Sequence, residues 1–253
     1  MGVPRESADG GAKYYKRDFW SKENLKFATP HYRMRKCAGV VNKIAGAGPC
    51  DLLDVGCGPA ALKSLLRENI DYFGIDIAIQ EHAPNLLESD ILEAPISFNG
   101  KKFDIVVAQG VFEYMGKFQE QKFAEINDLL KKDGRFVATY VNFDHRAQSV
   151  YWPYSNIQPL GDFRASLARF FTIEKYFPSS HNWPHSEPGR PLVQALQVPV
   201  RLPVLSHYLA VEYFFVCARG PQLRARRSRI STIGRGRTGE HRTRQTVGVG
   251  RKP

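Results

Sequence analysis

Two carboxylates and two glycines, Asp54, Asp76, Gly56 and Gly58, stand in this chain where a nucleoside-binding site would need them. Gly56-Cys57-Gly58 follows the apolar run Leu52-Leu53-Asp54-Val55, so a buried strand runs into a turn that tolerates unusual backbone angles and lets a ligand approach the main chain. Pro59 suits the first turn of a helix, with Ala60-Ala61-Leu62 and Leu65-Leu66 as its packing face. Asp76 lies 20 residues after Gly56, near the end of a second apolar run from Asp71 to Ile77. A carboxylate there can accept hydrogen bonds from both hydroxyls of a ribose. Glycines alone would only shape a strand-to-helix connection; the acid at this spacing favours a nucleoside ligand.

The identity of the nucleoside turns on two further acids. A dinucleotide needs its pyrophosphate over the helix N-terminus, and Gly56 to Ala61 could be a variant of that fingerprint. Asp54, two residues before the first glycine, would repel a phosphate there and welcome an ammonium. Ser89-Asp90-Ile91-Leu92 offers an acid followed by apolar residues, suited to an adenine amino group and ring. With these residues the chain resembles the class I S-adenosylmethionine-dependent methyltransferases, over about residues 48–219. The resemblance implies S-adenosyl-L-methionine as cofactor. It implies that Asp54, Gly56, Cys57 and Gly58 hold its methionine end, with Gln109 and Gly110 near the methionine part. Asp76 and Ile77 would serve the ribose, and Asp90 and Ile91 the adenine.

Other residue types bear on the acceptor. Gln109-Gly110-Val111-Phe112-Glu113-Tyr114-Met115 follows an apolar strand and falls at the edge where open α/β sheets bind ligands. It lacks the Asn/Asp-Pro-Pro-Tyr/Phe run of family members that methylate exocyclic base or glutamine nitrogens. Glu113 is either a solvent-facing residue or a contact to substrate. His181 and His185 are four apart, but Pro184 interrupts helical spacing and no third ligand of matching type stands near, so no metal site is expected. His181 first and His145 second are the candidate general bases, since a hydroxyl acceptor must lose a proton as it attacks.

The elements that must position these residues follow from the pattern. Phe103 to Ala108, Arg135 to Phe143, Phe170 to Phe177 and Val211 to Ala218 read as further strands, and Lys117 to Leu130 as a helix ended by Lys131-Lys132-Asp133-Gly134. The expected fold is α/β, a Rossmann-like doubly wound sheet, parallel except for the antiparallel last strand that the resemblance implies. Residues 1–47 form a leader and helical cap. Thr29-Pro30 starts its helix, Met34, Cys37, Val40-Val41 and Ile44 form its apolar stripe, and Tyr14, Tyr15, Tyr32 or Arg33 are candidates to reach over the cofactor. Residues 48–219 form the methyltransferase domain. Two aromatic, proline-bearing insertions, at about 144–160 and 178–207, are expected to close over the acceptor.

Charge and composition bound the partners. Of the net charge of +11, +9 falls in residues 221–253, where nine arginines and one lysine face Glu240 alone; the rest is nearly balanced. Residues 220–253 carry no aromatics and are expected to form a disordered basic tail, leaving nucleic acid an unlikely partner except through it. Four cysteines without a C-x-x-C pair and no signal-like or spanning apolar run fit a cytoplasmic protein away from the membrane. The expected activity is methyl transfer to a small-molecule acceptor at oxygen rather than nitrogen. An RNA or protein methyltransferase docking through the tail, a nucleotide-binding module and a dinucleotide-dependent oxidoreductase remain the alternatives. The sequence leaves the oligomeric state open.

Overall fold

A computed structural model describes residues 17–30, 32–142, 158–180, 210 and 212–220, all within one compact unit. Seven strands form one sheet: β1 (Cys50–Val55), β2 (Ile70–Asp76), β3 (Leu86–Glu88), β4 (Phe103–Ala108), β5 (Leu130–Val141), β6 (Phe171–Ser180) and β7 (Glu212–Arg219). Their order is β3-β2-β1-β4-β5-β7-β6. Every pairing among the first five is parallel, whereas β7 runs antiparallel to both β5 and β6. The order reverses between β1 and β4, and the crevice at their carboxyl ends is where such a sheet binds ligands.

Buried strands read as continuous apolar runs because both faces are covered. On one face α2 (Tyr32–Ala45) seats Cys37, Ala38 and Val41 against Leu52, Tyr72, Ile105 and Val107. On the other, α3 (Gln119–Leu129) and α4 (Leu160–Phe170) pack Phe123, Phe163 and Phe170 against Phe112, Phe136, Tyr140 and Phe215. Phe112 stacks on Phe123 with ring centroids 4.6 Å apart, and Tyr140 stacks on Phe163. The N-terminal cap starts with α1 (Arg17–Glu23), followed at once by a 3₁₀ turn, Asn24–Phe27. Among the described residues no helix is long and apolar enough to cross a membrane.

Three local expectations are corrected, and one element was not foreseen. The helix expected after Pro59 is only a 3₁₀ turn, Ala61–Leu65. Ala60, at φ 55°, takes a left-handed conformation that no α-helix can run through, and extended Leu66 ends the turn after five residues. The fifth strand begins at Leu130 rather than Arg135, with residues 131–134 looped out between the pairings Phe103–Leu130 and Ile105–Arg135. The second insertion cannot begin at Pro178, because β6 runs to Ser180 and pairs Pro178 with Tyr213 and Ser180 with Glu212. The helix α4 was not expected at all.

Candidate active site

The turn after β1 is pinned to β2 through its backbone: Gly56 N–H and Cys57 N–H both donate to Ile75 O, at 2.7 and 3.1 Å. Gly56 sits at φ 71°, and a Cβ there would lie 2.5 Å from Val111 Cγ2. The turn therefore needs glycine for its angle and for the approach of the segment that follows β4. The Cys57 side chain is buried, so only its main chain can face a ligand.

Asp76 ends β2 and lies almost wholly buried. Its Oδ2 accepts Gly58 N–H at 2.8 Å, and its Oδ1 accepts Ala78 N–H at 2.9 Å and the Asn24 side-chain amide at 3.0 Å. Burial pushes its carboxyl above the ordinary range against these donors. Ile77 N–H bears on the same carboxylate, so its acceptor directions are largely taken by the protein itself. Asn24 also donates to Ala78 O, which clamps the 3₁₀ turn of the cap onto the end of β2. Ser89 N–H donates to Asp76 O, bringing Asp90 and Ile91 alongside. Both are partly exposed, and Asp90 Oδ1 fixes its own turn by accepting Leu92 N–H. Ile77 is partly exposed beside them.

Asp54 is placed deeper than its sequence position suggests. It is buried among the residues beneath α2 and accepts the Tyr72 hydroxyl at 2.9 Å. Burial pushes its carboxyl up to about 7, with the Tyr72 bond opposing and the nearby charge of Asp76 adding to the rise.

Beyond β4 the chain turns through Gln109 and Gly110. Gln109 Oε1 is buried without a partner among the described residues. Gly110 N–H donates to Thr139 Oγ1 at 2.9 Å, and a Cβ on Gly110, at φ 66°, would lie 3.2 Å from the Arg33 guanidinium. Of the cap residues named for reaching over the cofactor, Arg33 lies close to Gly110; Tyr14 and Tyr15 lie outside the described residues. Arg33 pairs with Glu212 at 2.7 Å. Glu113, in the 3₁₀ turn Phe112–Tyr114, is buried rather than solvent-facing, and its Oε1 accepts Val141 N–H at 3.1 Å. His145 and His181 lie outside the described residues, as does His185. Among the described residues no group of three or more His, Cys, Asp or Glu side chains could hold a metal ion.

The carboxyl edge of the sheet thus carries Asp76, Gly56, Gly58, Asp90, Gln109 and Gly110, together with residues that the sequence pattern missed. Asn24, Tyr72 and Glu212 carry no local signal, since each acts through a partner distant in the chain. Glu113 did carry one, its place at the ligand edge.

A family model described as a methyltransferase domain matches residues 30–174. The chain belongs to that family: it is a class I S-adenosylmethionine-dependent methyltransferase. No curated protein matches it in sequence. Among solved structures it is similar to the 1,6-didemethyltoxoflavin-N1-methyltransferase of Burkholderia thailandensis, solved with S-adenosylhomocysteine, at 15% identity over 87% of this chain and 94% of that one, TM-score 0.57. It is similar to the N-methyltransferase NodS of Bradyrhizobium japonicum, at 11% identity over 80% and 99%, TM-score 0.52. A third is the plantazolicin methyltransferase BpumL, at 15% identity over 80% and 90%, TM-score 0.52. At these identities the structures speak to the fold. The glycine turn and the acid that ends β2 beside it fit the cofactor.

Proposed function

We propose that this enzyme methylates a small molecule, at an oxygen. Bound S-adenosylmethionine supplies a methyl group already activated on a sulfonium, so the protein's task is alignment and, for a hydroxyl acceptor, removal of a proton. In this reading the main chain of Gly56, Cys57 and Gly58, with Asp54 beneath it, holds the methionine end together with Gln109 and Gly110. Asp76 and Ile77 take the ribose, and Asp90 and Ile91 the adenine.

The observation that carries the acceptor reading is the buried carboxyl of Glu113 beside this crevice, pushed up to about 8 by burial. A group titrating there can take a proton near neutral pH, which an oxygen acceptor requires and an already neutral amine does not. The absence of the Pro-Pro run after β4 speaks against exocyclic base and glutamine nitrogens, and the small acceptors named for the toxoflavin and plantazolicin enzymes support a small-molecule substrate without bearing on oxygen as the atom. The test is incubation of the enzyme with methyl-labelled cofactor and fractionated cell extract. Label should enter a small molecule at an O-methyl group, identified by NMR. Label entering RNA or protein instead would overturn the substrate class, and an N-methyl product would overturn the atom.

A further inference from the structure

The carboxyl edge of the sheet has an order. Asp76 on β2, the Gly56–Gly58 turn after β1 and Gly110 after β4 lie in sequence across it, followed by Glu113 against the end of β5 and Glu212 at the start of β7. The first three form the donor half. The second half contains an unsatisfied group.

Glu113 is 4% exposed. Its Oε1 is held by Val141 N–H, while its Oε2 is buried with no partner among the described residues. A buried carboxyl oxygen without a partner is costly, and a catalytic role is one of the reasons a native structure keeps such a group. Among the described residues the groups acting on Glu113 are Glu212 from β7, Arg33 from α2, Val141 N–H from β5 and its own backbone N–H. Arg33 bonds Glu212 at 2.7 Å, and Lys36, one turn along α2, also acts on Glu212. Burial first, and then the charge of Glu212, push Glu113 up to about 8, against its own backbone N–H, Arg33 and the Val141 bond.

We propose that Glu113 faces the point of methyl transfer and receives the proton of the acceptor, an assignment that rests on the methyltransferase reading above. The balance is simple. The Glu113 carboxylate takes the proton that the acceptor X–H loses as X bonds to the methyl carbon, and the electron pair of the broken carbon–sulfur bond stays on sulfur. The negative charge of the carboxylate and the positive charge of the sulfonium are both discharged, so no other co-reactant is needed. The acceptor is then a hydroxyl or another neutral group that donates a hydrogen bond, and turnover follows the ionised fraction of Glu113.

A test exists that needs no acceptor. Sinefungin carries a protonated amine where the cofactor carries its sulfonium methyl, so its N–H groups report on a carboxylate facing the transfer point; S-adenosylhomocysteine has nothing there. Calorimetric titration of both ligands into the full chain should show a preference for sinefungin that grows about tenfold between pH 6.5 and 8.5, as Glu113 becomes available in ionised form. Glu113→Gln should abolish that pH-dependent preference while leaving S-adenosylhomocysteine affinity within about threefold, and Glu113→Asp should retain part of it. A wild-type preference that is absent or flat with pH overturns the assignment, as does one that Glu113→Gln leaves intact. If the glutamine variant does not fold, the wild-type pH slope decides. Failure of S-adenosylhomocysteine to bind the wild-type chain would instead sink the cofactor site itself, and Glu113 with it.

Discussion

Replacing Asp76 by alanine should separate two duties that one carboxylate performs. In the folded protein it accepts three hydrogen bonds, from Gly58 N–H, Ala78 N–H and the Asn24 amide. Truncation strands all three donors, each at a cost of about 1–3 kcal/mol if left dry. Two effects pull the total toward the lower end. Water can enter the space, and the variant no longer buries a carboxyl that resists burial. A loss of about 3 kcal/mol is therefore expected, which a domain of ordinary stability survives. The second duty is to the ribose, where a hydrogen bond to the charged group is worth about 1.5–3 kcal/mol, or a loss of roughly 10- to 150-fold in affinity. Thermal melting measures the first effect and calorimetric titration with S-adenosylhomocysteine the second. Asn24→Ala is the control, since it removes one donor and leaves the carboxylate in place. An Asp76→Ala protein that melts cooperatively and binds S-adenosylhomocysteine within twofold of wild type would refute the ribose assignment.

Two other outcomes are expected. Asp54 and Glu113 are pushed up to about 7 and about 8, so between the ordinary carboxyl range and those values the folded protein holds protons that the unfolded chain releases. Stability should thus be greatest on the acid side of that window and fall by about 1.4 kcal/mol per pH unit for each group, through pH 7 for Asp54 and pH 8 for Glu113. Melting temperatures from pH 5 to 9 check this; Glu113→Gln should remove the part of the slope that extends to pH 8, and a rise in stability across the window would contradict both assignments. Gly56→Ala should cost about 1–2 kcal/mol for a left-handed alanine, with a further ~1–3 kcal/mol for crowding Val111. Adding Val111→Ala should recover the second part only, as a double-mutant cycle in melting would show.

What could be read from the sequence was what sits close together along the chain. The strand before Gly56, the turn itself and the acid ending β2 fall within 27 residues, and their apolar runs and glycines announce them. The α2 stripe was readable for the same reason, and it buries Cys37 and Val41 four residues apart. The unread parts depend on distant partners. Asn24 and Asp76 are 52 residues apart, and Arg33 and Glu212 are 179 apart. Glu113 was flagged by its place at the ligand edge, but its burial depends on β5, whose Val141 N–H it accepts 28 residues on. The 3₁₀ turn after β1 was misread because Leu62, Leu65 and Leu66 satisfy a helical pattern, whereas left-handed Ala60 and extended Leu66 confine it to five residues.

The antiparallel last strand has a consequence for the site that its pattern as a buried strand does not suggest. In a parallel β7, the first residue would lie at the amino edge of the sheet, away from every ligand-facing turn. Running the other way, β7 sets Glu212 directly opposite Val141, the last residue of β5, whose N–H holds Glu113. The same Glu212 anchors Arg33 of the cap over Gly110. One strand reversal therefore joins the cap, the turn after β4 and the Glu113 carboxyl at one edge. It also bears on why Glu113 is raised there: burial and Glu212 push it up, while the Arg33 guanidinium, bonded to Glu212, pulls it down. Arg33→Met should remove that lowering charge and push Glu113 higher still, so melting temperatures measured against pH should show the alkaline end of its stability window moving upward rather than down.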